Sequence, residues 1–323
     1  MAEDSGTTAI GVDLGGTAIK GGLVTPTGKV LAQHSVRTER DGGVDHVIER
    51  MVDLIDHLRK EARNLSVKVQ AIGLGMPGTL SRRRGTVISP PNLPGWRNVP
   101  IVERIGSATG LSVMLDNDAN NAALGEYLCG AGWGVRDLAV ITLGTGIGGG
   151  LILDGKLWRG YFENAGEIGH NIIHAGGRRC SCGQQGCLEA YSSANSIVAR
   201  TIEGMEGGEE SCLRHVHEAG DPIRAEMIVD AAAAGDKLAT RIWQEACWYL
   251  AIACVNLQHL LNLQRIVLSG GLSGAGERLK GPVEAAMNEV CSTKLGHPPE
   301  LRIASLGNSA GFIGSALSVF LPG

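Results

Sequence analysis

Residues 8–24 read Thr-Ala-Ile-Gly-Val-Asp-Leu-Gly-Gly-Thr-Ala-Ile-Lys-Gly-Gly-Leu-Val, and residues 138–153 read Leu-Ala-Val-Ile-Thr-Leu-Gly-Thr-Gly-Ile-Gly-Gly-Gly-Leu-Ile-Leu. Each stretch is an apolar run, a glycine-rich turn and a second apolar run, the pattern of a strand, a tight turn and a strand. Laid over one another, Thr142 falls on Asp13 and Gly144 on Gly15. This weak internal repeat predicts two related β-rich halves, each offering a glycine turn to one ligand between them.

The turns themselves point to phosphate. After a strand, Gly15 and Gly16 let backbone N–H groups approach an anion closely. Asp13, at the strand end, can hold Mg²⁺ directly or through water. Thr17 adds a hydroxyl and Lys20 a charge. The alternative is a plain hairpin turn, against which stands the need of an ionised Asp on an apolar strand for a partner. Gly144, Gly146 and Gly149 match the spacing of a dinucleotide fingerprint, but that fingerprint requires a helix next, and Leu151-Ile152-Leu153 is a strand. A P-loop reading of Gly150 to Lys156 fails because Leu157 stands where a Ser or Thr must bind Mg²⁺. A second phosphate-binding turn, at Gly144, Thr145, Gly146 and Gly148, is the reading that remains.

Around these turns the chain alternates strands and helices. Apolar positions Val44, Val47, Ile48, Met51, Val52, Leu54, Ile55 and Leu58 fit one face of a helix over 44–63. Ala71–Met76 is a short strand stopped by Pro77-Gly78, 101–109 reads as a helix and Ser112–Leu115 as a strand. Residues 225–262 read as two helices, Arg265–Leu268 as a strand and 308–320 as a final helix. Residues 204–222, rich in Gly, Glu and His, are expected to form a mobile loop. Ser269-Gly270-Gly271 ends a strand and opens a helix, where glycines admit a base, a ribose or a phosphate, or serve an ordinary cap.

Three further stretches carry chemistry. Asp116-Asn117-Asp118-Ala119-Asn120-Asn121 joins a strand to a helix. One Asp or Asn suffices as a helix cap, and here several polar groups crowd one place. Phosphoryl transfer to a hydroxyl needs one carboxylate to take the proton. Asp118 is the candidate base, with Asn117 beside it to bond a hydroxyl; capping is the competing reading. In Pro90-Pro91-Asn92-Leu93-Pro94-Gly95-Trp96, Asn92 can serve two hydroxyls at once, and Trp96 is read as packing. The third stretch is Glu167-Ile168-Gly169-His170 followed by Cys180-Ser181-Cys182-Gly183-Gln184-Gln185-Gly186-Cys187-Leu188-Glu189. Three thiols and an imidazole make a closed tetrahedral zinc site of the Cys₃His kind. Glu167 and Glu189 are not needed for the metal, which suggests a loop pinned for substrate recognition.

Composition narrows the class. The chain has 323 residues, 43% hydrophobic and 19% charged, enough for two domains with their own cores. A net charge of −4 argues against a nucleic-acid surface. The one basic run, Arg82-Arg83-Arg84, reads as a solvated turn. No signal peptide and no run of 18 apolar residues is visible, so a cytoplasmic protein without a membrane span is expected. Of the eight cysteines, those outside 180–187 are expected as free thiols, with Cys129, Cys247, Cys254 and Cys291 in or near cores and Cys212 more exposed. His34, His46, His57 and His259 show no companions.

In combination, the Asp13–Lys20 turn, Met76-Pro77-Gly78, the Asn92–Trp96 loop, Asn117-Asp118-Ala119-Asn120, the Thr142–Gly150 turn, Glu167-x-x-His170 and the cysteine run resemble the ROK family of sugar kinases, within the actin-like ATPase superfamily. The likeness runs from about Ile10 to Leu317 and is greatest to the family's bacterial glucokinases. It implies an α/β chain of two domains with the actin-like ATPase, ribonuclease H-like fold and an interdomain cleft. The implied division is 1–118 plus 307–323 for the small domain and 119–306 for the large one. The resemblance implies ATP-dependent phosphorylation of the 6-hydroxyl of glucose with Asp118 as general base. Gly78, Asn92, Asn117, Glu167, His170 and Glu189 would contact the sugar, and zinc would sit on His170, Cys180, Cys182 and Cys187. ATP phosphates would meet residues 13–20 and 144–148, with Gly270 and Gly271 near the nucleotide. N-acetylmannosamine and N-acetylglucosamine kinases of the family share these motifs, and the Asn92-x-x-Gly95-Trp96 loop favours glucose. Other members are sugar-responsive repressors with an N-terminal helix-turn-helix, for which the start of the first strand at Ile10 leaves no room. A non-catalytic sugar sensor would keep the cysteine loop without needing a base. A homodimer or homotetramer is implied.

Overall fold

The computed structural model describes residues 6–90, 93–291 and 298–321. The first sheet begins with β1 (Thr7–Leu14), β2 (Ala18–Val24) and β3 (Val30–Arg37), and continues after helix α1 (Gly43–Asn64) with β4 (Lys68–Met76). A small hairpin, β5 (Thr79–Ser81) and β6 (Thr86–Ser89), and helix α2 (Ile101–Thr109) precede β7 (Val113–Asn117) and helix α3 (Asp118–Cys129). The second sheet uses β8 (Leu138–Leu143), β9 (Ile147–Leu153) and β10 (Lys156–Trp158). Helices α4 (Glu189–Ser192), α5 (Ala194–Glu206), α6 (Arg214–Glu218), α7 (Ala225–Ala233) and α8 (Lys237–Leu261) follow. The chain closes with β11 (Arg265–Ser269), α9 (Glu277–Val290), β12 (Glu300–Ile303) and α10 (Ala310–Ser318).

The chain forms two compact units, one of residues 1–136, 150–166 and 305–323, the other of 137–149 and 167–304. Sequence alone places a break at residue 118, but α3 stays with the first unit because it packs on α10. In that unit the strand order is β3-β2-β1-β4-β7, antiparallel through β3, β2 and β1 and parallel through β1, β4 and β7. Alternation sorts the side chains by face. Ile10, Val12, Leu14, Ile72, Leu74 and Met76 join the apolar face of α1 in one core. The opposite face of β1 and β4 carries Ala9, Gly11, Asp13, Gly73 and Gly75, and on it lies α10.

The packing of α10 is backbone on backbone. A Cβ on Gly11 would stand 1.8 Å from the Phe312 carbonyl oxygen, and one on Gly73 would stand 1.8 Å from that of Ser315. On the helix's other side a Cβ on Gly314 would stand 1.7 Å from the Asn121 carbonyl oxygen in α3. The approach to α10 is secured by Glu126, fully buried in α3. Its carboxylate accepts the N–H groups of Ala131 (2.8 Å), Ser305 (3.2 Å) and Leu306 (2.8 Å). A charge can be buried there because several donors replace its water.

In the second unit β8, β11 and β12 run parallel, and their sheet has the order β10-β9-β8-β11-β12. The expected mobile loop over 204–222 is instead built in: α5 runs into it, α6 lies within it, and Asp236 accepts from Ser211 Oγ (2.9 Å) and the Cys212 N–H (2.6 Å). Cys247 and Cys254 are buried, Cys129 and Cys291 half-buried and Cys212 exposed, as their contexts suggest. Three of the four histidines expected to stand alone do not: the His34 and His57 rings lie 4.2 Å apart, and His46 bonds Glu39 at 2.8 Å. Among the described residues no helix is long and apolar enough to cross a membrane.

Substituting Gly73 by Ala should lower unfolding stability by about 3 kcal/mol or more, because neither backbone can yield locally. Urea unfolding checks this, and a change below 1 kcal/mol would show that α10 rides further from the sheet.

Candidate active site

The register across the first sheet sets the geometry of its carboxyl edge. Asp13 of β1 pairs with Gly75 of β4, Gly75 pairs with Asp116 of β7, and Met76 pairs with Asn117. The residues just beyond these pairs are the glycine turn, Gly78 and Asp118, so all gather at the carboxyl ends of parallel strands, where α/β sheets bind ligands.

Asp13 sits on the α10 face. Gly311 and Gly75 have no side chain there, and a Cβ on Gly311 would come within 2.5 Å of the Asp13 carboxylate. Although part of the residue reaches solvent, burial of this carboxylate raises its pKa to about 6, with the charge of Lys20 pulling the other way. Lys20 lies opposite Asp13 in the hairpin and donates to Asn308 Oδ1 at 3.2 Å. The turn is closed by the Gly15 N–H on the Ala18 carbonyl at 3.0 Å and tied down by Thr38 Oγ1 on the Gly15 carbonyl at 2.6 Å. Gly16 and Thr17 stay exposed at its tip.

The crowded stretch at β7 and α3 separates into distinct jobs. Asn117 is the N-cap, its side chain accepting from the Ala119 N–H (2.9 Å) and the Asn120 N–H (3.2 Å). Asp118 opens the helix, half-exposed, with Oδ1 2.9 Å from the Ala119 N–H. Asp116 is buried. Its Oδ1 accepts from the Asn117 N–H (2.8 Å) and Asn120 Nδ2 (3.1 Å), while its Oδ2 accepts from Arg159 Nε at 2.7 Å and lies 3.4 Å from Arg82 Nε. Capping and a candidate base are therefore both present, on different residues. Arg82, read from sequence as part of a solvated turn, is instead a partner of Asp116, and only Arg83 and Arg84 are exposed. Arg159 carried no signal of its own; a buried strand-end Asp in need of a cation was the available hint.

Gly78 has φ +76° in the turn that precedes β5. Trp96 is buried, as its reading as a packing residue requires. Asn92 lies outside the described residues.

The second unit brings its own site residues together. The turn at 144–147 is closed by the Gly144 N–H on the Gly146 carbonyl (2.9 Å), with Thr145 exposed at the tip and Gly148 following in β9. Gly270, at φ +86°, lies against it: a Cβ there would meet the Leu143 carbonyl oxygen at 2.5 Å. Gly271 is exposed beside it and opens a short 3₁₀ turn rather than an α-helix.

Glu189 joins this turn to the cysteine loop. Its Oε2 accepts the Ile147 N–H at 2.8 Å, and its Oε1 is 3.2 Å from Ser181 Oγ and 3.8 Å from Cys180 Sγ. Gly146 must lack a side chain, since a Cβ would stand 2.4 Å from Glu189 Oε2. Glu167 is exposed just ahead of the 3₁₀ turn that carries His170.

His170, Cys180, Cys182 and Cys187 offer ligand atoms that all lie within 4.8 Å of one another. The Cys182 and Cys187 sulfurs are 3.7 Å apart, and Cys180 Sγ is 3.8 Å from His170 Nδ1. Bonds of about 2.3 Å to sulfur and about 2.0 Å to nitrogen give tetrahedral edges of about 3.8 and 3.5 Å. The donor set thus fits a small tetrahedral thiophilic ion. Burial and the neighbouring thiols push Cys187 up to about 12. Cys182, though burial acts the same way, is held at about 7 by hydrogen bonds from Gln184 and the other two thiols. Behind the loop, Tyr191 Oη accepts the Arg178 N–H at 2.7 Å and its ring lies 4.2 Å from that of Tyr249.

Residues 9–320 match the model of the ROK family. The chain belongs to the ROK family. A ROK relative, the glucokinase of Halalkalibacterium halodurans, is 36% identical over 94% of this chain and 92% of its own. Among solved structures, a ROK glucokinase from Streptomyces griseus in complex with glucose and AMPPNP superposes with a TM-score of 0.83. It is 31% identical, over 96% of this chain and 98% of its own. An N-acetylmannosamine kinase from Yersinia pseudotuberculosis is 29% identical over 85% of this chain and 87% of its own. The α/β architecture of this ROK chain is accordingly the actin-like ATPase fold.

Because Asp13 has its pKa raised to about 6, it binds a proton in the folded state that the unfolded chain, at about 3.9, has released. The stability this provides is complete below pH 4 and lost as pH rises through 6. In chelator, Asp13→Asn should therefore exceed the parent in stability at pH 7.5, by on the order of 3 kcal/mol, and match it near pH 4. Urea unfolding at the two pH values measures the gap; an equal gap at both would contradict the burial of this carboxylate.

Proposed function

We propose that this protein is an ATP-dependent sugar kinase that phosphorylates the 6-hydroxyl of glucose. The observation that carries this reading is the register row Asp13, Gly75, Asp116. It puts a glycine turn suited to phosphate and an aspartate at a helix start on one carboxyl edge of one sheet. The names of the relatives support the same chemistry, the glucokinase of H. halodurans above all.

In this reading Asp118 accepts the proton of the sugar hydroxyl as its oxygen attacks the γ-phosphorus. The new O–P bond forms, the bond from the γ-phosphorus to the β–γ bridging oxygen breaks, and ADP leaves. Transfer of this kind depends mainly on positioning and neutralisation of charge. The amides at Gly16 and Thr17, and those at Thr145, Gly146 and Gly148, would serve the phosphates from turns that the Gly15 and Gly144 N–H groups close, with the charge of Lys20 held nearby by Asn308. Asp13 would hold Mg²⁺, which neutralises phosphate charge. Gly270 and Gly271 would leave room for the nucleoside. Gly78, Asn92, Asn117, Glu167 and His170 would bond the sugar hydroxyls. Glu189 would join them through lone pairs that Ile147 and Ser181 leave.

His170, Cys180, Cys182 and Cys187 would hold a structural zinc ion through His170 Nδ1, leaving Nε2 on the far side of the ring for the sugar. The metal's part is to fix the loop rather than to react.

The proposal is tested by ATP-dependent phosphorylation of glucose, N-acetylglucosamine, N-acetylmannosamine, mannose and fructose, compared by kcat/KM. A preference for glucose is expected. An N-acetyl sugar in first place would keep the kinase and overturn the sugar, the reading that the Y. pseudotuberculosis relative favours. No turnover with any of them in zinc-replete protein would favour a sensor. Asp118→Asn should lose about 10²–10⁴ in kcat with glucose affinity by calorimetry within threefold; full turnover would remove the base. Cys182→Ala should lose bound zinc by metal analysis and weaken glucose binding more than ATP binding. A variant that keeps its metal and its glucose affinity would refute the role of the loop.

A further inference from the structure

Asp116 and Asp118 stand two residues apart at one strand end, yet their surroundings differ. The Asp116 side chain is 5% exposed. Its two oxygens are saturated from opposite sides: the Asn117 N–H and Asn120 Nδ2 on one, Arg159 Nε and Nη2, both at 2.7 Å, on the other, with Arg82 behind. A carboxylate so engaged cannot also take a substrate proton. It can dictate where the next residues of the chain go.

The arginines on the outer oxygen are themselves anchored. Arg82 Nε also lies 3.2 Å from the Leu115 carbonyl oxygen, so it grips the last turn of β7 at two points. The Arg82 N–H donates to Glu163 Oε2 at 3.0 Å, and its guanidinium lies 3.9 Å from Glu163 Oε1. Glu163 holds this position at φ +62°, a left-handed conformation that a residue with a side chain adopts only where its surroundings impose it. The segment leaving β10, the β5–β6 hairpin and the β7–α3 corner are thereby tied through one buried carboxylate. Pairing and hydrogen bonding together are what permit a charge at this depth.

We propose that Asp116, clamped by Arg159 and Arg82, is a positioning residue that fixes the Asn117–Asp118 corner for phosphoryl transfer. The inference rests on the reading of Asp118 as the base. Its Oδ1 orients the Asn117 peptide and, through Asn120, the first turn of α3; the arginines set the angle of the carboxylate. Asp118 is the next link along that backbone. An error of about 1 Å in a catalytic group can lose on the order of 100-fold in rate.

The Asp116→Asn variant separates the two sides of the clamp. An amide is isosteric but offers one acceptor oxygen, so either Asn117 or Arg159 must face an NH₂ group. Asp116→Asn and Arg159→Gln should each lower kcat 10- to 100-fold while the KM values for glucose and ATP move less than threefold. The double variant should lose no more than the worse single one, since both break the same clamp. Arg159→Lys should recover part of the loss. Thermal unfolding is followed alongside, and kcat is taken per folded molecule. Should Asp116→Asn fail to fold, Arg159→Gln and Arg159→Lys decide alone. Asp118→Asn is assayed in parallel. If it is inactive while the folded clamp variants turn over within twofold of the parent, the positioning role is overturned and the base stands. If Asp118→Asn itself turns over normally, the base is overturned and the positioning role with it. Losses in KM rather than kcat, or multiplicative losses in the double variant, would also overturn the clamp.

Discussion

The contact on which the first unit depends is that of α10 with the glycines of β1 and β4. Two polypeptide backbones meet there without side chains between them. That closeness makes Gly11 and Gly73 obligatory, and Gly314 on the side facing α3. It also sets where the sheet's carboxyl edge meets the start of the helix, so that Asp13 lies beneath Gly311. The buried Glu126 belongs to the same arrangement, because it fixes the residues by which the chain enters α10. Shape, not hydrophobic area, is the limiting quantity at this contact.

Much of this is legible in the chain, and the reasons differ by element. Strand and helix positions follow from apolar periodicity, as with α1, whose alternating rows of Val47, Ile48, Met51, Leu54, Ile55 and Leu58 all reach the core. The cysteine cluster is legible because thiols at short spacing have few other uses. What could not be read is whatever depends on partners distant in sequence. Asp116 and Asp118 look alike as letters; only Arg82 and Arg159, 34 and 43 residues away from Asp116, tell them apart. The segment 204–222 has the composition of a loop, yet Asp236 and Arg241 hold it from beyond its own ends. The first unit likewise runs past residue 118, because α3 owes its place to a helix nearly 190 residues later.

Within the second unit, Glu189 shows that one side chain can serve two loops. It closes the glycine turn through Ile147 and reaches the cysteine loop through Ser181 and Cys180. The two glycine turns, related by the internal repeat, are therefore supported differently. The first is held by a threonine just past β3, the second by a carboxylate from beside the cysteine loop.

The order of the chain gives the α10 contact a further meaning. Synthesis delivers β1 and β4 well before α10. Until then the Gly11 and Gly73 face of the sheet has no helix to cover it, however complete α1 and its core may be on the other side. A face of the sheet laid down with β1 and β4 is thus finished only by a helix made more than 200 residues later.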